Sequence, residues 1–585
     1  MIKRTKIVCT IGPSVSTLEN IKKLIEAGMN VARLNFSHGT HEAHAKIIGY
    51  LKKAREELKV PLAIVLDTKG PEIRLGHLKE NSLHLKAKDQ IWLVKEEIEG
   101  DDQAVTIMPP QAIDALEVGM TILFDDGYLI THVVEIEENR VKIEVDHGGV
   151  IKSLRGVNIP GVDIDLPAIT EKDILDIEFG CEHDVDYVAA SFVRSASQVI
   201  AIKQLLKEHK KSEIGVIAKI ENRVGVDNFD SIVQVADAIM IARGDLGVEL
   251  PLTQVPRLQK MMIEKSYLAG KPSVTATQML ESMIDHPRPT RAEASDVANA
   301  MYDGTSAVML SGETAVGRYP FEVLKVMGGL LEETERDFDY YDFFQKSTQR
   351  SFHDVPSSVT QASIKTAYSS NASAIFAFTT SGFTARLLSR FRPKPPVIAM
   401  TSNRKVYHKL ALYWGVIPFY CETAHSTEEA YKLCSDFALE RSIVEYGDLV
   451  VVTAGTPFGR AGTTNMMIVD SIGDVLVRGN EGYGLRTHGR VALVFSSETP
   501  AYSVRGKILV LTKCDESYLP LLRMAAGVIL ENHIDDVESE LYLKEVYELL
   551  NLPIILRGEG ASSVLRPEIL VTLDPSQAIA YKGLI

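Results

Sequence analysis

The most constraining feature of this sequence is a rhythm. Across its first half, short apolar runs alternate with helical segments, and nearly every run ends in a polar, glycine-bearing cluster. Lys6–Ile11 is a strand stopped by Gly12-Pro13, Leu18–Ala27 has helical spacing up to Gly28, and Asn30–Phe36 is the next strand. Glu42–Leu58 reads as helix and Ala63–Leu66 as a third strand. The rhythm resumes with strands at Val185–Phe192, Ile214–Ile220, Ala238–Ala242, Pro272–Ala276 and Ser306–Leu310. Thr290-Arg291-Ala292-Glu293 is a capping box that opens a helix to about Tyr302. Apolar strands separated by helices imply a parallel sheet covered on both faces. Eight such units predict a closed (β/α)8 barrel rather than an open sheet.

The rhythm breaks once. From Glu72 to Pro167 the strands are short, helices are nearly absent, and turns such as Asp126-Gly127 and Gly148-Gly149 punctuate the chain. This predicts an inserted all-β domain whose hinges, Gly70-Pro71 and Leu166-Pro167, suit a moving lid. After a polar stretch at 340–357, strands at Ala374–Phe378, Val397–Ala399, Val416–Phe419 and Leu449–Val452 predict an open doubly wound α/β domain. Gly506–Leu511, Ala526–Leu530, Pro553–Leu556 and Leu570–Leu573 predict a further small α/β domain. The expected division is 1–70 and 168–345 for the barrel, 71–167 for the lid, 346–473 for the second domain and 474–585 for the last. Several domains are needed in any case, because one core rarely serves 585 residues.

Composition narrows the function classes. The net charge of -15 argues against nucleic-acid binding, which wants a basic surface. The five cysteines are scattered without a CxxC pair, which argues against a disulfide framework or structural zinc and fits a reducing, cytoplasmic setting. The apolar run near Met1 is too short for a signal-peptide core, and no stretch is long enough to span a membrane.

In a barrel the strand ends converge on one face. There stand Arg33, Asn35, Ser37 and His38 after strand two, Asp67 and Thr68 after strand three, and Lys219 and Glu221 after strand five. Gly244 and Asp245 follow strand six, Thr277 strand seven, and Ser311 and Glu313 strand eight. Glu221 and Asp245 on adjacent strands could share a hard divalent cation, Mg²⁺ or Mn²⁺. Lys219 points the same way as Glu221, two residues on. Arg33, Arg74 and Arg243 could fork onto phosphate or carboxylate oxygens. Lysine, arginine and metal around an anion are the parts of a phosphoryl-transfer site. Asn35, Ser37, Asp67 and Thr68 offer hard oxygens for a monovalent cation, or ordinary turn hydrogen bonds. The hydroxyl-rich turn Thr379–Thr384 suits a phosphate at a helix start, or is a plain turn.

These segments resemble the pyruvate kinase family. The likeness rests on NVARLNFSHG (Asn30–Gly39), LDTKGPEIR (Leu66–Arg74), GVNIPG (Gly156–Gly161), LPAITEKD (Leu166–Asp173) and AASFVR (Ala189–Arg194). It continues through AKIEN (Ala218–Asn222), ARGDLGVE (Ala242–Glu249), TATQMLESM (Thr275–Met283), RPTRAEASDVANA (Arg288–Ala300) and VMLSGETA (Val308–Ala315). The resemblance implies transfer of a phosphoryl group from phosphoenolpyruvate to ADP, giving pyruvate and ATP. It implies that Lys219 stabilises the phosphoryl group and the enolate, and that Arg33 binds the phosphoryl group. Glu221 and Asp245 would hold the divalent cation, and Gly244, Asp245 and Thr277 the substrate carboxylate. Asn35, Ser37, Asp67 and Thr68 would bind K⁺, with Glu72 in place of the lysine of K⁺-independent members. Ser311, Glu313 and Thr277 would stand in the network that protonates the enolate, and Arg74, Arg155, Asn35 and His38 on the nucleotide side. Arg155 replaces a common lysine.

The family further implies a homotetramer and a sugar-phosphate or AMP effector held by Thr380, Ser381, Gly382, Thr384, Gly459 and Gly462. The last domain resembles a phosphohistidine swivelling domain, but the place of its histidine motif reads Asn532-His533-Ile534.

Overall fold

The structure is a computed structural model that describes residues 3–125, 127–160, 167–348, 354–422, 426–455 and 462–584. Its chain forms two compact units. The first is Met1–Ile364 with Ala377–Ala424 and Ala454–Met466; the second is Lys365–Phe376 with His425–Thr453 and Met467–Ile585.

In the first unit, eight strands close into a barrel in which every neighbouring pair is parallel. In chain order they are Lys6–Thr10, Val31–Asn35, Ala63–Asp67, Tyr187–Ala190, Gly215–Ile220, Ala238–Ala242, Ser273–Ala276 and Ala307–Leu310. Their residues are buried almost without interruption, because both faces are covered. Threonine hydroxyls open the surrounding helices: Thr17, Thr40, Thr170 and Thr290 each accept a backbone N–H from the first turn. Thr170 and Thr290 form full capping boxes.

Two apolar layers hold the barrel. One lies between strands and helices. The other fills the interior, where Val8, Val65, Ile217, Met240 and Val274 meet Ala411 and Leu412 from the turn Leu410–Leu412. Lys6 anchors the same region, its Nζ donating to the carbonyl of Val416 at 2.8 Å.

Between the third and fourth barrel strands lies a β domain with its own apolar core. Seven strands close in the order Arg140–His147, Gln90–Val94, Ala104–Met108, Ile73–Leu75, Gly156–Asn158, Thr121–Phe124 and Leu129–Glu137. All described pairs are antiparallel except Gln90–Val94 with Ala104–Met108. The turn residues Asp126 and Leu166 lie outside the described residues. Also in the first unit, Val397–Thr401 pairs in parallel with Val416–Tyr420.

The second unit holds an eight-stranded sheet with a parallel centre, Thr487–Val494, Ile508–Leu511, Gly527–Leu530 and Ile554–Leu556. Antiparallel strands flank it on both sides. Helix Val537–Leu550 packs on it, capped by the Asp536 carboxylate.

Candidate active site at the carboxyl ends of the barrel strands

The register of strands two and three places Asn35 opposite Asp67. Asp67 is fully buried and is the hub of the mouth. Arg33 Nε donates to its Oδ2, while Lys219 Nζ lies 3.1 Å from its Oδ1. Lys219 also reaches Glu221 Oε1 at 3.0 Å and donates to Ser191 Oγ at 2.6 Å. The Phe192 N–H donates to Glu221 Oε2 at 2.5 Å. Arg33 is steadied from behind, its Nη1 donating to Thr10 Oγ1 at 3.0 Å.

Cations and carboxylates thus alternate in a pocket with little water to screen them. Burial pushes the Asp67 carboxyl up, but the Arg33 and Lys219 charges outweigh it and hold its pKa below the ordinary value. Burial works against the Lys219 ammonium, yet Asp67 and Glu221 outweigh it and raise its pKa. Glu221 is pushed up to about 7 by burial, with Lys219 opposing and Asp245 adding repulsion. Burial, more than the neighbouring Asp245, is what disfavours the charge on Glu221.

The next two strand ends form a second cluster. The Gly244 N–H donates to Thr277 Oγ1 at 2.8 Å. Thr277 and Gln278 both have left-handed backbone, with φ of 66° and 54°. Such a conformation costs an L-residue ~1–2 kcal/mol, so something must hold it. Glu313 is buried, and its carboxylate accepts the N–H groups of Leu280 at 3.2 Å and Ser311 at 2.7 Å. Burial raises its pKa.

A cavity of about 350 Å³ opens between the barrel mouth and the inserted β domain. Its walls include His38, Glu72, Arg74, Asp125, Arg155, Asn158, Arg194, Asp245 and Glu249. Arg74 pairs with Glu72 and donates to the Leu154 carbonyl at 2.9 Å. Arg155 lies 3.3 Å from Asp125. Asn158 on the β domain donates to Glu249 on the barrel at 3.4 Å.

Comparison with known proteins decides the family. The pyruvate kinase barrel domain matches residues 2–324 and the pyruvate kinase alpha/beta domain residues 357–469. Pyruvate kinases of Geobacillus stearothermophilus and Bacillus licheniformis are each 42% identical, over 100% of this chain and 99% of their own. The crystal structure of a pyruvate kinase from Cryptosporidium parvum superposes with a TM-score of 0.77 at 38% identity, covering 80% of this chain and 96% of that one. The chain belongs to the pyruvate kinase family. Its reaction is the transfer of the phosphoryl group of phosphoenolpyruvate to ADP, giving pyruvate and ATP.

The pyruvate kinase motifs thus bring Arg33, Asp67, Lys219 and Glu221 into one contact network, with Gly244 and Thr277 in a second. Asn35 Oδ1 accepts the Ser37 N–H at 3.2 Å. The Thr68 carbonyl accepts from Ser191 Oγ at 2.7 Å. His38 is exposed, and its carbonyl lies 2.8 Å from His44 Nε2. In the turn Thr379–Thr384, the Gly382 N–H donates to Thr379 Oγ1 at 3.0 Å, and the Thr384 and Thr464 hydroxyls are 2.7 Å apart. Gly462 has left-handed backbone, and Gly459 lies outside the described residues.

Two side chains have a place that the strand-end reading missed or misdirected. Ser191 touches Lys219, Asp67 and Thr68 together. Its signal was present, since AASFVR is one of the family segments. Arg243 does not fork onto the mouth; its guanidinium is turned to Asp296, Gln259 and the carbonyls of Ala276 and Thr277.

Proposed function

We propose that this pyruvate kinase works through the Arg33–Asp67–Lys219–Glu221 network, and that the carrying observation is the buried Lys219 ammonium held between two carboxylates and Ser191. Lys219 and Arg33 receive the phosphoryl group. As that group leaves the enolate oxygen for a terminal phosphate oxygen of ADP, Lys219 stabilises the charge left on the enolate. A fixed ammonium out of water does this without reorganisation. The backbone N–H groups of Gly244 and Asp245 and the Thr277 hydroxyl orient the substrate carboxylate, the Gly244 N–H exchanging Thr277 Oγ1 for a substrate oxygen. The enolate carbon then takes a proton through water passing Ser311 and Thr277. Glu313, with both oxygens on backbone N–H groups, keeps that loop in place.

Glu221 and Asp245 would hold Mg²⁺ or Mn²⁺, which when bound neutralises charge on the phosphoryl oxygens. Among the described residues, no group of three or more His, Cys, Asp or Glu side chains could hold a metal. Two carboxylates with substrate oxygens and water nevertheless suit Mg²⁺. Glu221 is buried, and a bound cation would offset the cost of keeping its carboxylate charged out of water. Asn35, Ser37, Asp67 and Thr68 would hold K⁺ through hard oxygens at two paired strand ends, and Glu72 accords with K⁺ dependence.

The nucleotide enters the cavity bounded by Arg74, Arg155 and His38, with the inserted β domain as a lid. A sugar phosphate or AMP docks on Thr380–Thr384 with Gly459 and Gly462, in a cytoplasmic homotetramer. No helix among the described residues is long and apolar enough to cross a membrane.

The test is one assay matrix: pyruvate formation from phosphoenolpyruvate and ADP, with and without Mg²⁺ and K⁺, against candidate phosphorylated effectors. Turnover should need both cations and should respond to an effector at low phosphoenolpyruvate. Turnover indifferent to K⁺ would remove the proposed K⁺ site, and indifference to every effector would remove the effector assignment.

A further inference from the structure

We propose that Arg243, held by Asp296, is the positioning residue that sets Thr277 and Gly244 against the substrate carboxylate. The inference rests on the reading that those two groups bind the carboxylate. Arg243 immediately precedes Gly244 in sequence, yet its side chain runs away from the mouth and is largely buried. Its Nη2 donates to the Thr277 carbonyl at 2.8 Å, and its Nε to the Ala276 carbonyl at 3.3 Å. Its Nη1 donates to Asp296 at 2.7 Å, from the helix Arg291–Tyr302.

The consequence is a two-sided grip on one residue. Arg243 holds the Thr277 carbonyl, and the Gly244 N–H holds the Thr277 hydroxyl. Thr277 and Gln278 are the two consecutive left-handed residues, a conformation their side chains resist. A guanidinium is suited to this task. Its planar fork serves several acceptors at once, whereas an ammonium offers a point charge. Asp296 neutralises the buried cation and fixes the plane of the fork. The clamp therefore stores the geometry of the carboxylate subsite in a residue that does not touch substrate.

The experiment compares Arg243→Lys, Asp296→Asn and the double variant Arg243→Lys/Gln278→Gly with the parent, in the full-length chain. Circular dichroism first establishes that each is folded. Initial rates are then measured with phosphoenolpyruvate varied at saturating ADP, and the reverse. Both single variants should raise KM for phosphoenolpyruvate roughly tenfold or more, since small displacements of a positioning group are expensive. KM for ADP should stay within about twofold, because the nucleotide cavity is built elsewhere. Glycine tolerates the left-handed turn that Gln278 resists, so the double variant should recover part of the loss. A folded Arg243→Lys with the parental KM for phosphoenolpyruvate, equal rises in both KM values, or no recovery in the double variant would each overturn the clamp. A parent that forms no pyruvate would instead overturn the functional reading beneath it.

Discussion

Lys219 sits among three oxygen-bearing side chains, and none of those contacts needs substrate. Its charge is therefore in place before the reaction begins, which is the condition for stabilising a transition state. Lys219→Met should lower kcat by about 10²–10³-fold while changing KM for phosphoenolpyruvate much less, by analogy with loss of one oxyanion donor. Steady-state kinetics decide it: a loss confined to KM would contradict the role. Lys219, Glu221 and Asp245 were legible because charged residues at successive strand ends stand out against apolar runs. Ser191 is marked only by its place in AASFVR, since a hydroxyl beside apolar neighbours carries no charge to set it apart. Arg243 was legible as a cation at the mouth but not in its direction. Spacing along a strand says which face a residue belongs to, and nothing about where a long side chain goes next.

At the scale of elements, the strand and helix limits read from apolar periodicity lie within a residue or two of those observed for the barrel. Tyr187–Ala190 against Val185–Phe192 is the widest difference, because the flanking residues turn to side-chain bonds: Asp186 accepts from Arg55 and the Ile64 N–H, and the Ser191 and Phe192 N–H groups go to Thr68 and Glu221. Ala104–Met108 was hidden for another reason. Thr106 in its centre is buried to satisfy the carbonyls of Glu96 and Ile98, so a polar residue interrupts the run. The turn after strand three is under tighter constraint than its sequence suggests. Gly70 has φ of 73°, and a Cβ there would stand 2.8 Å from Ser191 Cβ. Gly70→Ala must then strain the backbone, by ~1–3 kcal/mol, or displace Ser191 from Lys219. The expected outcome is lower kcat together with a lower melting temperature, read by kinetics and calorimetry on one preparation. Unchanged values of both would show that the turn has room to spare.

For the whole molecule, the amino end of the barrel carries a titratable strut. Lys6 is buried, and burial together with the nearby Lys3 lowers its pKa from 10.5 to about 7, against the pull of Glu335. A lysine that binds its proton less tightly when folded penalises the folded state in full below that pKa. The penalty is released as pH rises from about 7 towards 10.5. Lys6→Met removes this dependence. Between pH 7 and 9 the parent should therefore gain on the variant, by at most ~1.4 kcal/mol per pH unit. Denaturant titrations at three pH values test this, and parallel stability profiles would count against it.

The turn Leu410–Leu412 beside that strut has a plainer consequence. With Ala411 and Leu412 packed into the barrel interior, the barrel is a flask and not a pipe. With the site proposed at the mouth, phosphoenolpyruvate would enter and pyruvate depart through the same neck. Outgoing product would have to clear the space that the next substrate needs, so accumulating pyruvate is expected to slow its own production by occupancy alone.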